Sequence, residues 1–289
     1  MINFLIRNRK RMGGLLLILF FVIGLTILYA YKEAHNIKLV QYDIVDEDIP
    51  ESFDNTQIIF ISDIHCDKYF TRNDLKELVD RINDLNPDIV ILGGDYVSGY
   101  RNIDSLLVEI GNLRSKYGIY TVLGNHDHWT RVPDEIQSGF LNLGFYICDN
   151  ESYWINNGED SIKIGGVGDL WADKQKLEKT IDDLSQDDFC ILISHQPDYI
   201  EQLEGDYIDL MLSGHTHGGQ ITFFGLWAPL MPGATRRDLK TTSNEYTYGW
   251  IEKNNTKLYV TSGIGMGGFP FRFFAQPEIV SFSLKRKKD

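Results

Sequence analysis

The strongest constraint on the fold is a recurrence. Short apolar runs end repeatedly in glycine or serine, followed by a carboxylate, amide or imidazole. Gln57 to Ile61 runs into Ser62-Asp63-Ile64-His65, and Asp88 to Leu92 runs into Gly93-Gly94-Asp95. Ile119 to Leu123 leads to Gly124-Asn125-His126-Asp127, and Phe189 to Ile193 leads to Ser194-His195-Gln196-Pro197. Tyr207 to Leu212 reaches Ser213-Gly214-His215-Thr216-His217-Gly218-Gly219-Gln220. Apolar runs of this length, closed by glycine, read as buried strands. His215 and His217 stand at i and i+2, so in extended chain their imidazoles point the same way. The flanking glycines allow close backbone approach and φ > 0.

Helical spacing fills the intervals. Asn73 is placed to cap a helix carrying Leu75, Leu78, Val79, Ile82 and Leu85 on one face, stopped by Asn86-Pro87. Further helices are expected at Asp104 to Tyr117, near Asp134 to Leu143, and at about Leu177 to Leu184. Shorter strands are expected at Phe145 to Cys148, Tyr153 to Ile155 and Ile162 to Val167. Late strands follow at Ile221 to Phe224, Leu258 to Thr261 and Ile279 to Leu284. The alternation argues for an α/β protein with a largely βαβ-built sheet and added antiparallel strands. In open α/β sheets ligands gather at the carboxyl ends of strands, which is where every donor above falls.

Met12 to Tyr31 holds no charged residue. As a helix rising about 1.5 Å per residue it spans roughly 30 Å, the thickness of a bilayer core. Arg7, Arg9, Lys10 and Arg11 precede it, whereas Lys32, Glu33 and Lys38 nearly balance after it. The positive-inside rule then leaves the amino terminus cytoplasmic and the large domain outside. A cleaved signal peptide is the runner-up, with Tyr29-Ala30-Tyr31 a poor cleavage site. The expected division is a basic tip and anchor at 1–33, a linker and first strand at 34–56, and a catalytic domain at 57–289. A net charge of -13 argues against a nucleic-acid-binding surface. The basic Lys285-Arg286-Lys287-Lys288 end reads as a solvated tail, with anionic lipid contact the sharper alternative. Cys66, Cys148 and Cys190 are scattered and odd in number, so no disulfide framework is implied. Cys66 follows His65 directly, as either a soft metal neighbour or a small side chain beside a site.

Six of the seven histidines lie at or beside the strand ends, only His35 being remote. One metal cannot use so many donors, whereas two divalent ions sharing a bridging carboxylate can. Mixed oxygen and nitrogen donors suit Mn, Fe or Zn better than Mg or Ca.

Asp63-Ile64-His65, Gly94-Asp95, Gly124-Asn125-His126-Asp127, His195 and Gly214-His215-Thr216-His217 together resemble the five motifs of the calcineurin-like metallophosphoesterases, in order and spacing. The wording around His195 and His215 is similar to the bacterial membrane-associated or exported phosphodiesterase branch, which includes relatives acting on diacylated UDP-glucosamine. The resemblance implies a four-layer αββα sandwich. It also implies that Asp63, His65 and His217 hold one metal and Asn125, His195 and His215 the second, with Asp95 bridging. Ser98, where many relatives carry an acid, leaves that set intact, while Cys66-Asp67 departs from the commoner continuation. The expected chemistry is in-line attack on phosphorus by a metal-bridging hydroxide. His126 would protonate the leaving alkoxide as general acid. Asp127 would either orient His126 or cap the next turn.

Other stretches are less informative. His128 reads as facing solvent rather than the pocket. Gly263 to Gly268 lacks the following Lys-Ser/Thr helix of a nucleotide-binding loop. Phe269-Pro270-Phe271-Arg272-Phe273-Phe274 reads as core or as a greasy lip for a lipid-bearing substrate. Arg272 within it would grip a phosphate or carboxylate, or pair with an acid. Leu226-Trp227-Ala228-Pro229-Leu230-Met231-Pro232 is a second apolar loop of that kind. The reading is thus a membrane-anchored binuclear-metal phosphoesterase, acting on diesters more than monoesters and on lipid-linked or cell-envelope substrates. The alternatives are a pyrophosphatase for a diacylated UDP-sugar, which would need a cytoplasmic active site, and a non-catalytic scaffold.

Overall fold

The computed structural model describes residues 2–229 and 246–287, with side chains from residue 12 onward. Leu230, Met231, Pro232 and Lys288 lie outside the described residues. In chain order the strands begin with β1 (Lys38–Asp46), β2 (Gln57–Ile61), β3 (Ile89–Leu92), β4 (Ile119–Thr121), β5 (Tyr146–Ile147) and β6 (Ser152–Asn157). They continue with β7 (Asp160–Gly166), β8 (Cys190–Ile193), β9 (Leu210–Ser213), β10 (Gly249–Lys253), β11 (Thr256–Val260) and β12 (Glu278–Arg286). They form two six-stranded sheets, ordered β1-β12-β2-β3-β4-β5 and β10-β11-β9-β8-β7-β6. The helices are α1 (Ile2–Ala34), α2 (Arg72–Asp84), α3 (Ile103–Ile110), α4 (Asn125–Trp129), α5 (Pro133–Asn142) and α6 (Glu178–Ile181).

The central strands are apolar without interruption because both of their faces are covered. Ile59, Ile61, Val90 and Leu92 point outward to pack on α2, α3 and α5 through Leu78, Ile82, Leu106, Ile110 and Phe140. Their neighbours Ile58, Phe60, Ile89 and Ile91 point inward and meet Ile191, Ile193, Leu210 and Leu212 of the second sheet. Cys190, Leu192 and Met211 face the far side, where Tyr199 and Ile200 of a 3-10 segment, with Leu203 just after it, cover them. The layers are therefore helix, sheet, sheet and short helical turns, the αββα arrangement. Truncating one of these fully buried side chains to alanine costs about 2–5 kcal/mol.

Several elements depart from the sequence reading, each for a local reason. Thr71, not Asn73, caps α2: its backbone N–H donates to Asp74 Oδ2 at 2.7 Å, and its hydroxyl accepts from Asp74 N. α3 stops at Ile110, since Gly111 follows and Asn112 turns its amide back onto the Val108 carbonyl. α6 is four residues long. Ile221 to Phe224 makes only isolated bridges, Ile221 with Phe273 and Phe223 with Trp227. β10 was not anticipated, although Asn254-Asn255, both at positive φ, mark the hairpin that joins it to β11. The first strand expected within 34–56 does form: β1 runs parallel to β12 from Lys38↔Glu278 to Asp46↔Arg286 and so joins the first sheet.

β2 to β5 run parallel in one sheet, and β7, β8, β9 and β11 run parallel in the other. Helix α1 is long and apolar enough from Met12 to Ala34 to cross a membrane, and its most apolar window is not buried by the domain.

At the amino-terminal end of β9, Asp209 accepts from Cys190 N at 2.7 Å, close to Asp46 and Asp48. Burial, reinforced by those two acids, pushes its carboxyl up to about 7 against Lys257 and the Cys190 amide. The folded form thus keeps a proton that the unfolded chain releases near 4. The stability this gives is complete below pH 4 and fades as pH rises toward 7. Asp209→Asn keeps an acceptor for Cys190, so its melting temperature should fall less than the parent's between about pH 5 and about pH 8, a range that spans the shift, by differential scanning fluorimetry. An identical slope in both proteins would contradict this.

Candidate metal centre

The donors sit in the turns that leave β2, β3, β4, β8 and β9. Five of them hold the backbone in the left-handed region: Asp63 (φ 56), His65 (φ 47), Asp95 (φ 55), His215 (φ 70) and His217 (φ 52). Each such residue costs on the order of 1–3 kcal/mol, so neighbouring structure must impose the conformation. It does so by lacing the turns together. Asp63 N donates to Gly94 O at 2.9 Å, His65 N to Asp95 O at 3.0 Å, and Gly214 N to His195 O at 3.1 Å. Gly214 is required by proximity: a Cβ there would overlap the Ser62 hydroxyl and the Asp63 carboxylate.

Three clusters result, each with ligand atoms within 4.8 Å of one another: Asp63-His65-His217, His65-Asp95-His126 and Asp95-His195-His215. The first shares His65 with the second, and the second shares Asp95 with the third; Asp95 Oδ2 lies 3.5 Å from His65 Nε2 and 3.3 Å from His195 Nε2. His217 Nε2 stands 3.1 Å from His65 Nε2 and 3.6 Å from Asp63 Oδ1. Asn125 opens α4 and is buried. Among the described residues, Asn125 Oδ1, His195 Nε2 and His215 Nε2 are enclosed without a hydrogen-bond partner. Buried polar atoms are seldom left so unless something else pairs with them, and this nitrogen and oxygen set fits divalent transition metals.

Protonation follows burial. It pushes His65 and His215 down to about 3 and His217 well below its ordinary value, so these imidazoles are neutral and offer lone pairs. Burial also pushes Asp63 up to about 6, although His195 pulls the other way. His195 is the exception: burial opposes its charge, but the carboxylates of Asp95, Asp63 and Asp169 outweigh it and raise the ring to about 10. The ring orientations are fixed from behind. His195 donates from Nδ1 to the Gly93 carbonyl at 2.7 Å, and the Ser98 hydroxyl meets His65 Nδ1 at 3.2 Å. Ser98 therefore supports a donor in place of the acid noted as missing.

His126 is half-buried, its ring 4.6 Å from that of His65 and its N–H held by Asp95 Oδ1 at 2.8 Å. Asp127 caps rather than orients. Its two oxygens accept from the backbone of Gly124, Asp95 and Tyr96 at 2.8–2.9 Å, and no contact joins it to the His126 ring. Arg272 cannot grip a substrate anion. It is 0% exposed, and its guanidinium donates to the Gly265, Ser262 and Ala275 carbonyls while one amine lies 3.5 Å from His217 Nδ1. The apolar company of Phe273 and Phe274 hid its role as a brace for the last donor loop. Cys66 is buried, its thiol pushed up to about 11 by burial and the acids Asp67 and Asp74, and its sulfur belongs to none of the clusters. His128 is half-buried with Nε2 enclosed, not solvent-facing.

Two tryptophans that the sequence motifs do not mark flank the clusters. Trp129 lies 4.7 Å from the His126 ring and Trp171 lies 4.7 Å from the His215 ring, and the indoles stack on each other at 6.0 Å. Asp169 places Trp171 by accepting its N–H at 2.8 Å, and Gln196 in turn bonds Asp169. Trp129 follows the Asn125-to-His128 motif within the same short helix, which was the signal available.

Residues 56–219 match the family model for calcineurin-like phosphoesterases. The chain is 33% identical over 261 residues to the metallophosphoesterase YkuE of Bacillus subtilis (strain 168), covering 88% of each. It is 29% identical over 272 residues to a metallophosphoesterase of Aquifex aeolicus (strain VF5), covering 90% of this chain and 96% of that one. It is also 29% identical over 263 residues to a transmembrane protein with metallophosphoesterase domain from Danio rerio, covering 86% of this chain and 57% of that protein. Fold and donor set together define a metal-dependent phosphoesterase. The chain belongs to the calcineurin-like phosphoesterase family.

The contact at Gly214 gives a direct check. Gly214→Ala should displace the Asp63 carboxylate and lower the divalent metal retained per chain after loading and gel filtration, measured by atomic emission. Full retention would show that the turn can yield.

Proposed function

We propose that this chain is a membrane-anchored phosphodiesterase using two divalent ions. Asp63, His65 and His217 would hold one, and Asn125, His195 and His215 the other, with Asp95 shared. The observation that carries this reading is the continuous linkage of the clusters through His65 and Asp95, one Asp95 oxygen lying between His65 and His195, with His126 beside it. When bound, the ions supply Lewis-acid polarisation of the phosphoryl group and a water acidic enough to ionise near neutral pH.

The chain's own residues do the rest. The reaction is hydrolysis: oxygen from water bonds to phosphorus, the bond to the leaving oxygen breaks, and that oxygen departs as an alcohol after taking a proton. His126 is the proton donor, because its ring lines the cluster without being enclosed in it and its backbone is pinned to Asp95. Trp129 and Trp171 form an apolar wall beside His126 and His215, which suits a second ester substituent and so a diester. Helix α1 crosses the bilayer with its basic end in the cytoplasm, and the domain acts outside on lipid-linked or cell-envelope phosphoesters.

Stripping metal with a chelator should abolish hydrolysis of bis-p-nitrophenyl phosphate, and divalent ions should restore it above the rate on the monoester. A metal-loaded protein inert toward both would overturn the enzyme reading, and a faster monoester rate the diester preference. His126→Asn should keep its metal and lose about 100-fold or more on alkyl diesters, the range expected for a general acid, while losing less on p-nitrophenyl esters. Equal losses on both, read as kcat, would remove His126 from that role.

A further inference from the structure

The turn that carries His217 and the loop braced by Arg272 are stitched together. Phe273 N donates to Gln220 O at 2.9 Å, Thr222 N to Phe273 O at 2.9 Å, and Gly267 N to Gln220 Oε1 at 2.9 Å. Their outer side is apolar and uncovered: Phe223 is 64% exposed, Phe224 62%, Leu226 87% and Phe269 65%, with Trp227 beside them. Phe223, Phe224 and Phe274 are in ring contact, and an exposed apolar surface of this kind on a charged domain calls for an apolar partner.

The structure shows what lies next to it. The last turns of α1 dock on the same loop: Arg272 N donates to Ala30 O at 3.1 Å, and Ala275 N to Glu33 Oε1 at 2.8 Å. The Tyr29 ring stands 5.4 Å from Phe273 and 5.7 Å from Phe274. The helix that would cross the bilayer thus leaves the domain through the patch, which fixes the patch at the level where the helix enters lipid. Tyr29 and the cationic Lys32 are residue types suited to that level. They line, with Lys38, Phe224 and Phe274, an open cleft of about 680 Å³. A second cavity of about 250 Å³ runs from Trp227 and Phe274 to Gly218, next to His217.

Resting on the anchored reading above, we infer that the loops at 221–227 and 269–274 are seated in the interface of the bilayer that α1 crosses. The metal centre then receives its phosphoester from a lipid headgroup in that leaflet.

The test uses the full chain reconstituted in vesicles of equal parts phosphatidylcholine and phosphatidylglycerol, with acyl chains plain or brominated near the headgroup. Brominated lipid should quench tryptophan emission of the parent, and Trp227→Phe should remove that quenching. The combined Phe223→Ser, Phe224→Ser, Leu226→Ser, Phe269→Ser variant should still float with the vesicles through α1, with its quenching reduced at least about twofold. Its hydrolysis of phosphatidyl-p-nitrophenol in those vesicles, to phosphatidate and p-nitrophenol, should fall about tenfold, in line with a lost interfacial contact. Quenching that Trp227→Phe leaves unchanged, or undiminished lipid hydrolysis by the combined variant, overturns the inference. A parent chain that does not float overturns anchor and seat together. Quenching without any hydrolysis of bis-p-nitrophenyl phosphate by metal-loaded protein counts against the phosphodiesterase reading and leaves the seat standing.

Discussion

A single buried carboxylate, that of Asp95, holds the two halves of the site in register. One oxygen faces histidines from both sheets, and the other accepts the His126 amide at 2.8 Å. Two carboxylates so enclosed cost several kcal/mol each unless positive charge or hydrogen bonds compensate. The backbone amide of His215, 3.0 Å from both Asp63 oxygens, supplies part of this, and the imidazolium of His195 another part. The site is thus assembled around anions that the protein only partly satisfies, which is a physical reason for it to take up cations. On the proposed assignment of His195 as a ligand, its proton would have to leave before it held an ion, which would couple metal uptake to pH.

Much of this was legible from residue order. A buried parallel strand needs a continuous apolar run, and the donors that follow such runs fall along one edge of a sheet. The turns after β2, β3, β4, β8 and β9 could therefore be assigned to a common pocket before any coordinates. What stayed hidden depended on contacts between segments remote in sequence. Arg272 looks like an exposed cation among phenylalanines until the Gly265 and Ser262 carbonyls are seen around it. Asp127 looks like a partner for His126 until the backbone of Asp95 and Tyr96, from another turn, claims its oxygens. The left-handed conformations at Asp63, His65 and Asp95 leave no mark in composition, because lacing between turns imposes them.

Arg272 also links two regions that sequence keeps apart. Its backbone holds the end of α1, and its side chain lies against His217 and the glycine-rich loop. A rigid donor turn and the exit of an apolar helix therefore share one buried residue, and each restrains the other. Such economy is open to a domain whose active edge and attachment point lie on the same side.

The position of β12 has a consequence for how the chain is made. Residues 278–286 lie between β1 and β2, hydrogen-bonded to both, so the first sheet cannot close until synthesis has passed residue 286, long after β1 and β2 have emerged. Until then, β1 and β2 present open edges to whatever is near, a hazard for aggregation that growing chains must survive. On the anchored reading proposed above, the unfinished domain would wait tethered by α1, kept from its neighbours by dilution in two dimensions and by its excess of acidic side chains.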